Sequence, residues 1–349
     1  MDFQPENFHI YVTFDTSKYD MINGHIRDLQ IIFISKEHEY IVDDIKKPFS
    51  VTKLKCFIIP EFETWFIARR CINQEKYNMF TGSESERTQQ IIDTWERNAK
   101  VAANMGTLMH LIIELLLNDI AVPVIYQDSL PNEISSFNAF DHMFLKFYGI
   151  DTYRTEWRIF ADEEPVAGSI DFVGKYIANQ LPHHAQFSGE DDYAYYESHD
   201  NELCHTLGLP PSTKPQGEYV IIDWKRSRVL YEYIREQPKA YQKSKINTKS
   251  GDPLGYFKTN SLSEYYIQLN IYCFILEKYY GISIGAMYIA CFFNPGNQIG
   301  VPYLLFRVPR MTACMQVLMY RVTCQISPMT AKITYPEIFQ HSQYMNYFK

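Results

Sequence analysis

A change of hydrophobic period near residue 150 limits what this chain can fold into more than any other feature of it. Before that point apolar positions recur at helical spacing, from Gln89 to Asn118 behind the break and cap signal Gly82-Ser83-Glu84-Ser85-Glu86, and again from Asn138 to Tyr148. After it the spacing falls to two. Tyr153 to Phe160 and Val166 to Tyr176 read as strands joined by Ala161-Asp162-Glu163-Glu164-Pro165, and Tyr219-Val220-Ile221-Ile222-Asp223 reads as a short buried strand. Ser261 to Tyr280 returns to helix, capped by Ser261 or Ser263 and ended by Gly281. Gly285 to Phe293 and Val301 to Val308 are strands, and Thr312 to Cys324 is a last helix. Helix, three strands, helix, strand is the order of an α/β layer arrangement.

The rest reads as additions at both termini and within the core. Residues 1 to 60, with β-like runs at Phe8 to Phe14 and Leu29 to Ser35, form an accessory β-containing subdomain. Residues 61 to 349 form the main domain, and residues 178 to 217 are an insertion with little regular pattern. With 46% hydrophobic residues, 27 Tyr and 23 Phe, the chain can fill the core this layout needs. No stretch reaches 18 apolar residues, and Met1-Asp2-Phe3-Gln4-Pro5-Glu6 lacks the start of a signal peptide. The expectation is an intracellular protein of cytoplasm or nucleus, neither secreted nor in a membrane. Seven cysteines without any C-x-x-C pair suit reduced thiols and exclude a zinc ribbon.

The net charge of −8 argues against a protein whose task is to coat nucleic acid. It hides an asymmetry, because Lys225 to Lys258 holds nine Lys/Arg against three acids while Ala178 to Glu218 holds one Lys against seven. These runs are either solvated faces or a basic strip within an acidic protein.

Four short patterns carry ionisable groups where apolar ones are expected. The helix from Gly106 to Leu117 is apolar almost all round, interrupted by His110 and Glu114 on one face. Burying either without a partner costs roughly 2–7 kcal/mol, so they pair with each other or hold a metal. Asp171 interrupts the strand Gly168-Ser169-Ile170-Asp171-Phe172-Val173, as a turn residue or a ligand. In Asp223-Trp224-Lys225 the period of two puts Asp223 and Lys225 on one side of the sheet and Trp224 in the opposite layer. Gln268 and Tyr272 share a helix face, lining a groove or packed in the core.

Taken in order, G-x-x-x-H, G-x-x-D, D-x-K and Q-x-x-x-Y resemble the motifs of the PD-(D/E)XK nuclease superfamily over roughly residues 90 to 293. The RecB-type branch, which includes CRISPR adaptation nucleases and the mitochondrial genome maintenance exonuclease, is the nearest match. The resemblance implies a restriction-endonuclease-like core (αβββαβ, a mixed sheet flanked by helices) and a Mg²⁺- or Mn²⁺-dependent deoxyribonuclease acting on single strands or ends, in repair, replication or recombination. It implies Asp171 and Asp223 as carboxylate ligands, His110 as an imidazole ligand and the Trp224 carbonyl as a further one. Lys225 would orient the attacking water and stabilise developing charge, and Glu114 would hold a second metal or a water. Glu156 either faces the same site or is a structural acid at a strand end. For the nucleic acid, Gln268 and Tyr272 would line its path, with Tyr272 stacking a base, and Arg226, Arg228 and Lys243 would contact phosphates along the basic strip.

Two departures stand out. Residues 178 to 217 lengthen the gap between Asp171 and Lys225, and D-x-K replaces the frequent E-x-K, though neither removes a required group. Cysteines spaced for an iron–sulfur cluster are not apparent, so none is expected. An RNA endonuclease of the cap-snatching type and a catalytically idle nucleic-acid-binding scaffold are the alternatives. The second has no need to keep His110, Asp171, Asp223 and Lys225 together. Protein partners are not legible.

Overall fold

In the computed structural model, which describes residues 14–59, 62–176, 187–211, 217–236, 252–295 and 300–340, short elements come first. Helix α1 (Lys18–Ile22) precedes an antiparallel sheet of β1 (Ile31–Ile34), β2 (Glu39–Val42) and β3 (Ile45–Lys46). Leu29 to Ser35 thus yields β1, while Phe8 to Phe14 lies outside the described residues but for Phe14. Strand β4 (Phe49–Ser50) leaves this sheet and pairs, parallel, with the main one.

Then come α2 (Thr64–Cys71), α3 (Glu84–Leu117), α4 (Val124–Ser129) and α5 (Pro131–Phe140), which runs on into a π-helical turn (Asp141–Lys146). The cap signal works as read: the Ser83 side chain accepts from Glu86 N–H while the Glu86 carboxylate accepts from Ser83 N–H. Strands β5 (Ile150–Phe160) and β6 (Val166–Tyr176) form the expected hairpin. Next are α6 (Glu190–Leu207), β7 (Tyr219–Lys225), α7 (Arg228–Glu236), α8 (Ser261–Tyr279), β8 (Ile284–Cys291), β9 (Leu304–Arg307), α9 (Thr312–Ile326), α10 (Pro328–Thr334) and α11 (Pro336–Gln340). The cap of α8 is neither serine: the Asn260 side chain accepts from Ser263 N–H at 2.8 Å, and Gly281, at φ +64°, ends the helix.

Strand order in the main sheet is β4-β6-β7-β8-β9, with β5 on the other edge of β6. The architecture is α/β, a mixed sheet flanked by helices. On one face α8, α9 and α6 bury Leu262, Tyr266, Ile271, Val317 and Leu207, and on the other α3 and α5 bury Leu108, Met109, Ile112, Phe137 and Phe140. The C-terminal half of α3 is a core helix here, although α3 also contains a window long and apolar enough to cross a membrane by composition.

The insertion differs from the expectation of little regular structure, because its residues 190–207 form the 18-residue helix α6. Left-handed glycines bound it, Gly189 at φ +72° and Gly208 at φ +68°, and Glu190, Asp191 and Asp192 favour its N-terminal dipole. Its pattern is illegible because two of its inward positions are acids. Asp200, fully buried, accepts the N–H of Cys314 at 2.8 Å and of Ala313 at 3.3 Å in the first turn of α9, and Asp192 pairs with Lys258. The two acids interrupt the inward row, leaving Tyr196 as its one apolar member before Leu203, Cys204 and Leu207.

Candidate functional site

The site begins where two strands part. Strand β7 pairs with β6 from Tyr219 to Ile222, then Asp223, Trp224 and Lys225 pair with β8 alone. On the same edge β4 meets β6 at Val166 and Ala167, so residues 168–171 of β6 have no strand beside them there among the described residues. A side chain spans this gap: Asp171 Oδ2 accepts the N–H of Trp224 at 2.8 Å. Within a strand a residue's N–H and C=O leave toward the same neighbour, so the Trp224 carbonyl is turned to the gap too. Gly168 is required by packing, since a Cβ there would lie 2.7 Å from Val51 Cγ2 and 2.8 Å from the Tyr272 ring. The glycine of G-x-x-D makes room for the tyrosine of Q-x-x-x-Y.

Three ligand-type side chains converge on the gap. His110, from α3, places Nδ1 3.6 Å from Asp171 Oδ2 and 3.8 Å from Glu156 Oε1. Ligand atoms of His110, Glu156 and Asp171 all lie within 4.8 Å of one another. Glu156 sits between the registered pairs Thr155–Phe172 and Trp157–Ile170, opposite Asp171, with φ at +46°. A side-chain-bearing residue in the left-handed region costs on the order of 1–3 kcal/mol, and such strain concentrates at functional sites. Burial works against the His110 imidazolium, but the carboxylates of Asp171 and Glu156 more than offset it, and the imidazole is pushed up to about 9. One imidazole and two carboxylates suit a divalent cation of the Mg²⁺ and Mn²⁺ class, the imidazole favouring Mn²⁺. The residues present therefore fit such an ion.

Beside this cluster lies a second pair. Asp223 is 1% exposed, forms an ion pair with Lys225 and accepts from Gln268 Nε2 at 3.2 Å. Burial raises its carboxyl above the usual carboxylate range, with the Lys225 ammonium opposing. Burial works against that ammonium in turn, and Asp223 and Asp171 more than offset it, holding it charged. Trp224 points the other way, as the period of two requires, against Phe137 and Phe140.

Several expected roles do not match the geometry. Glu114 is not in the cluster; it takes a hydrogen bond from Thr16, and burial pushes its carboxyl up to about 7 with Glu156 adding to the rise. Of the two glutamates, Glu156 is the one that faces His110 and Asp171. Tyr272 is 2% exposed and takes a hydrogen bond from Gln268 at 3.2 Å, so it has no free face to stack a base and instead backs Gln268 against Asp223. Arg226 is bound to Glu133 at 2.8 Å, its guanidinium 5.0 Å from the centre of the Phe293 ring, which anchors α5 to the end of β7 instead of meeting phosphate. Arg228 forms an exposed i,i+4 pair with Glu232. Lys243 lies outside the described residues, as do Lys239, Lys245 and Lys249 of the basic strip. A signal for Glu156 was available: Arg154-x-Glu156-x-Arg158 makes one side of β5 charged while Thr155, Trp157 and Ile159 alternate with it. The chain matches no protein-family model, no curated protein and no solved structure.

The exchange of the two glutamates has a measurable consequence. Glu156→Ala should weaken Mn²⁺ binding at least tenfold by titration calorimetry, whereas Glu114→Gln should leave it within about twofold. Glu114→Gln should also raise the melting temperature at pH 8. A carboxyl whose folded pKa is raised loses stability as pH climbs from the unfolded value toward about 7, a loss the amide escapes, so the gain should shrink toward pH 5. Equal Mn²⁺ losses in both variants would reinstate Glu114 as a ligand.

Proposed function

We propose that this protein is a metal-dependent nuclease of the PD-(D/E)XK type, RecB-type branch, hydrolysing phosphodiester bonds in DNA at single strands or ends. The observation that carries this reading is the meeting of His110, Glu156 and Asp171 with the Asp223–Lys225 pair in the gap between β6 and β7. The order α3, β5, β6, β7, α8, β8 supports a restriction-endonuclease-like core, with α6 and α7 as additions to it.

His110, Glu156 and Asp171 would hold Mg²⁺ or Mn²⁺, with Asp223 and the Trp224 carbonyl at the same opening. When bound, such an ion supplies an acidified water and neutralises charge on the phosphate. The protein's own groups supply the rest. Gln268 and Lys225 fix the Asp223 carboxylate from two sides, and Tyr272 fixes Gln268. Lys225 gives one of its three donors to Asp223 and keeps its charge at neutral pH, so the other two can reach the attacking water and a non-bridging phosphate oxygen. Trp224 N–H holds Asp171 in place without consuming its second oxygen.

The test is to incubate end-labelled single- and double-stranded DNA and RNA with the protein and Mg²⁺, Mn²⁺ or a chelator. Metal-dependent cutting of DNA is the expected result. Preference for RNA would favour the cap-snatching alternative, and no cutting with no Mn²⁺ binding would overturn the reading.

A further inference from the structure

Lys225 has a second neighbour besides Asp223. Its Nζ lies 4.8 Å from the centre of the Tyr265 ring, within the distance at which an ammonium is attracted to the negative face of an aromatic ring. Tyr265 stands on α8 three residues before Gln268 and seven before Tyr272, so one face of the helix carries all three. Tyr272 backs Gln268 and Gln268 donates to Asp223, whereas Tyr265 meets the lysine of the same pair.

The ring is held on the side of β8. Ser227, two residues beyond Lys225, donates from its hydroxyl to the phenol oxygen while accepting the N–H of Leu230 at 3.3 Å in the first turn of α7. Cys291 of β8, registered with Lys225, is a further neighbour of the phenol. Asp171 approaches from the other side of β7, where it reaches across the gap to the Trp224 N–H. The ammonium thus has Asp171 toward the gap, the ring toward β8 and Asp223 on its own strand. A lysine has a flexible four-carbon stem, and one counter-ion does not fix where its donors point. Charge alone would draw the ammonium on toward Asp171, whose carboxylate already acts on it. There it would cover an oxygen that a cation needs and turn its donors from the water.

We propose that Tyr265 is a positioning residue for Lys225, its ring holding the ammonium on the β8 side of the opening so that the free donors face the attacking water and the phosphate while Asp171 stays open to the ion. The proposal rests on the nuclease reading and adds what sets the reach of its lysine. A ring suits this task better than a third carboxylate, because it attracts the ammonium without competing for the divalent cation.

The test compares Tyr265→Leu, Tyr265→Phe and pentafluorophenylalanine at position 265, which keeps the size of the ring and removes its negative face. Circular dichroism first establishes that each variant is folded. With Mn²⁺ and a labelled single strand of DNA, Tyr265→Leu and the fluorinated variant should lose roughly 3- to 30-fold in kcat with KM within about twofold, the scale of one cation–ring contact. Tyr265→Phe should recover most of the rate. Without substrate, Tyr265→Leu should bind Mn²⁺ about threefold more weakly by titration calorimetry, because the released ammonium competes at Asp171. In a Lys225→Ala protein the same substitution should alter Mn²⁺ affinity by less than about twofold, since the two side chains act as one unit. Wild-type kcat and Mn²⁺ affinity in Tyr265→Leu, or equal rates for Tyr265→Phe and the fluorinated variant, would refute the positioning role and leave the nuclease reading standing. A wild type that binds Mn²⁺ but cuts neither DNA nor RNA would overturn the nuclease reading, and the Mn²⁺ comparison would still decide whether Tyr265 acts through Lys225.

Discussion

Asp223→Asn should abolish phosphodiester cleavage, by several orders of magnitude, in a protein that still folds. Asp223 is the carboxylate on which the other groups of the opening depend, since it receives Lys225 on one side and Gln268 on the other while lying 1% exposed. The amide keeps the shape of the side chain and can still accept one hydrogen bond, so β7 keeps its pairing with β8. It removes the negative charge, and with it both the attraction for a divalent cation and the counter-charge that holds Lys225 in place. The change should not unfold the protein: a neutral group at position 223 relieves the desolvation cost of a buried carboxylate, and the Lys225 ammonium, less buried than Asp223, keeps the Asp171 charge beside it. Melting temperature in chelator should therefore be within a few degrees of wild type while Mn²⁺ affinity falls. Wild-type turnover by the folded variant would sink the metal assignment, and with it the proposed function.

His110, Asp171, Asp223 and Lys225 were legible in the sequence for one reason. Each is an ionisable group set into an apolar run, where the cost of burial demands a partner, and the periods of helix and strand give the side from which each one projects. The same reasoning cannot rank Glu114 against Glu156. Glu114 satisfies the helical spacing from His110, yet the separation that matters is set by β5, where Glu156 leaves its ladder at φ +46° to face Asp171. No periodicity encodes a single left-handed residue in a strand. Tyr272 shows a second limit: sharing a face with Gln268 was correct, but a helix face can look into a groove or into a core, and Gly168 decides for the core by leaving room for the ring. Helix α6 shows a third, because Asp192 and Asp200 point inward and bind an ammonium and the backbone N–H groups of α9. The order of the central elements survived because it rests on a change of period that individual residues cannot mask.

Lys225→Ala should stop cleavage while leaving Mn²⁺ bound, and its effect on stability should reveal how the pair is built. An ammonium is a donor and a charge, never a metal ligand, so its removal leaves His110, Glu156 and Asp171 intact. The rate should fall about a hundredfold or more, the scale on which one preorganised donor to a developing oxyanion contributes. The variant also strands Asp223 in the interior without its counter-ion, and breaking a buried pair in this way costs about 3–5 kcal/mol where the remaining charge stays ionised. Asp223 can avoid that cost by taking up a proton. Its folded pKa is already raised by burial against the pull of Lys225, so losing Lys225 raises it further. A raised carboxyl contributes stability that is lost as pH rises, so in chelator the variant should melt close to wild type near pH 5 and well below it at pH 8. Mn²⁺ should restore most of the difference at pH 8, because a cation bound beside Asp223 replaces the missing charge and stabilises the folded state by mass action. If the melting temperature fell equally at both pH values, or if Mn²⁺ failed to recover it while Asp171→Ala still bound the ion, the ligand and water-orienting roles would have been assigned to the wrong residues.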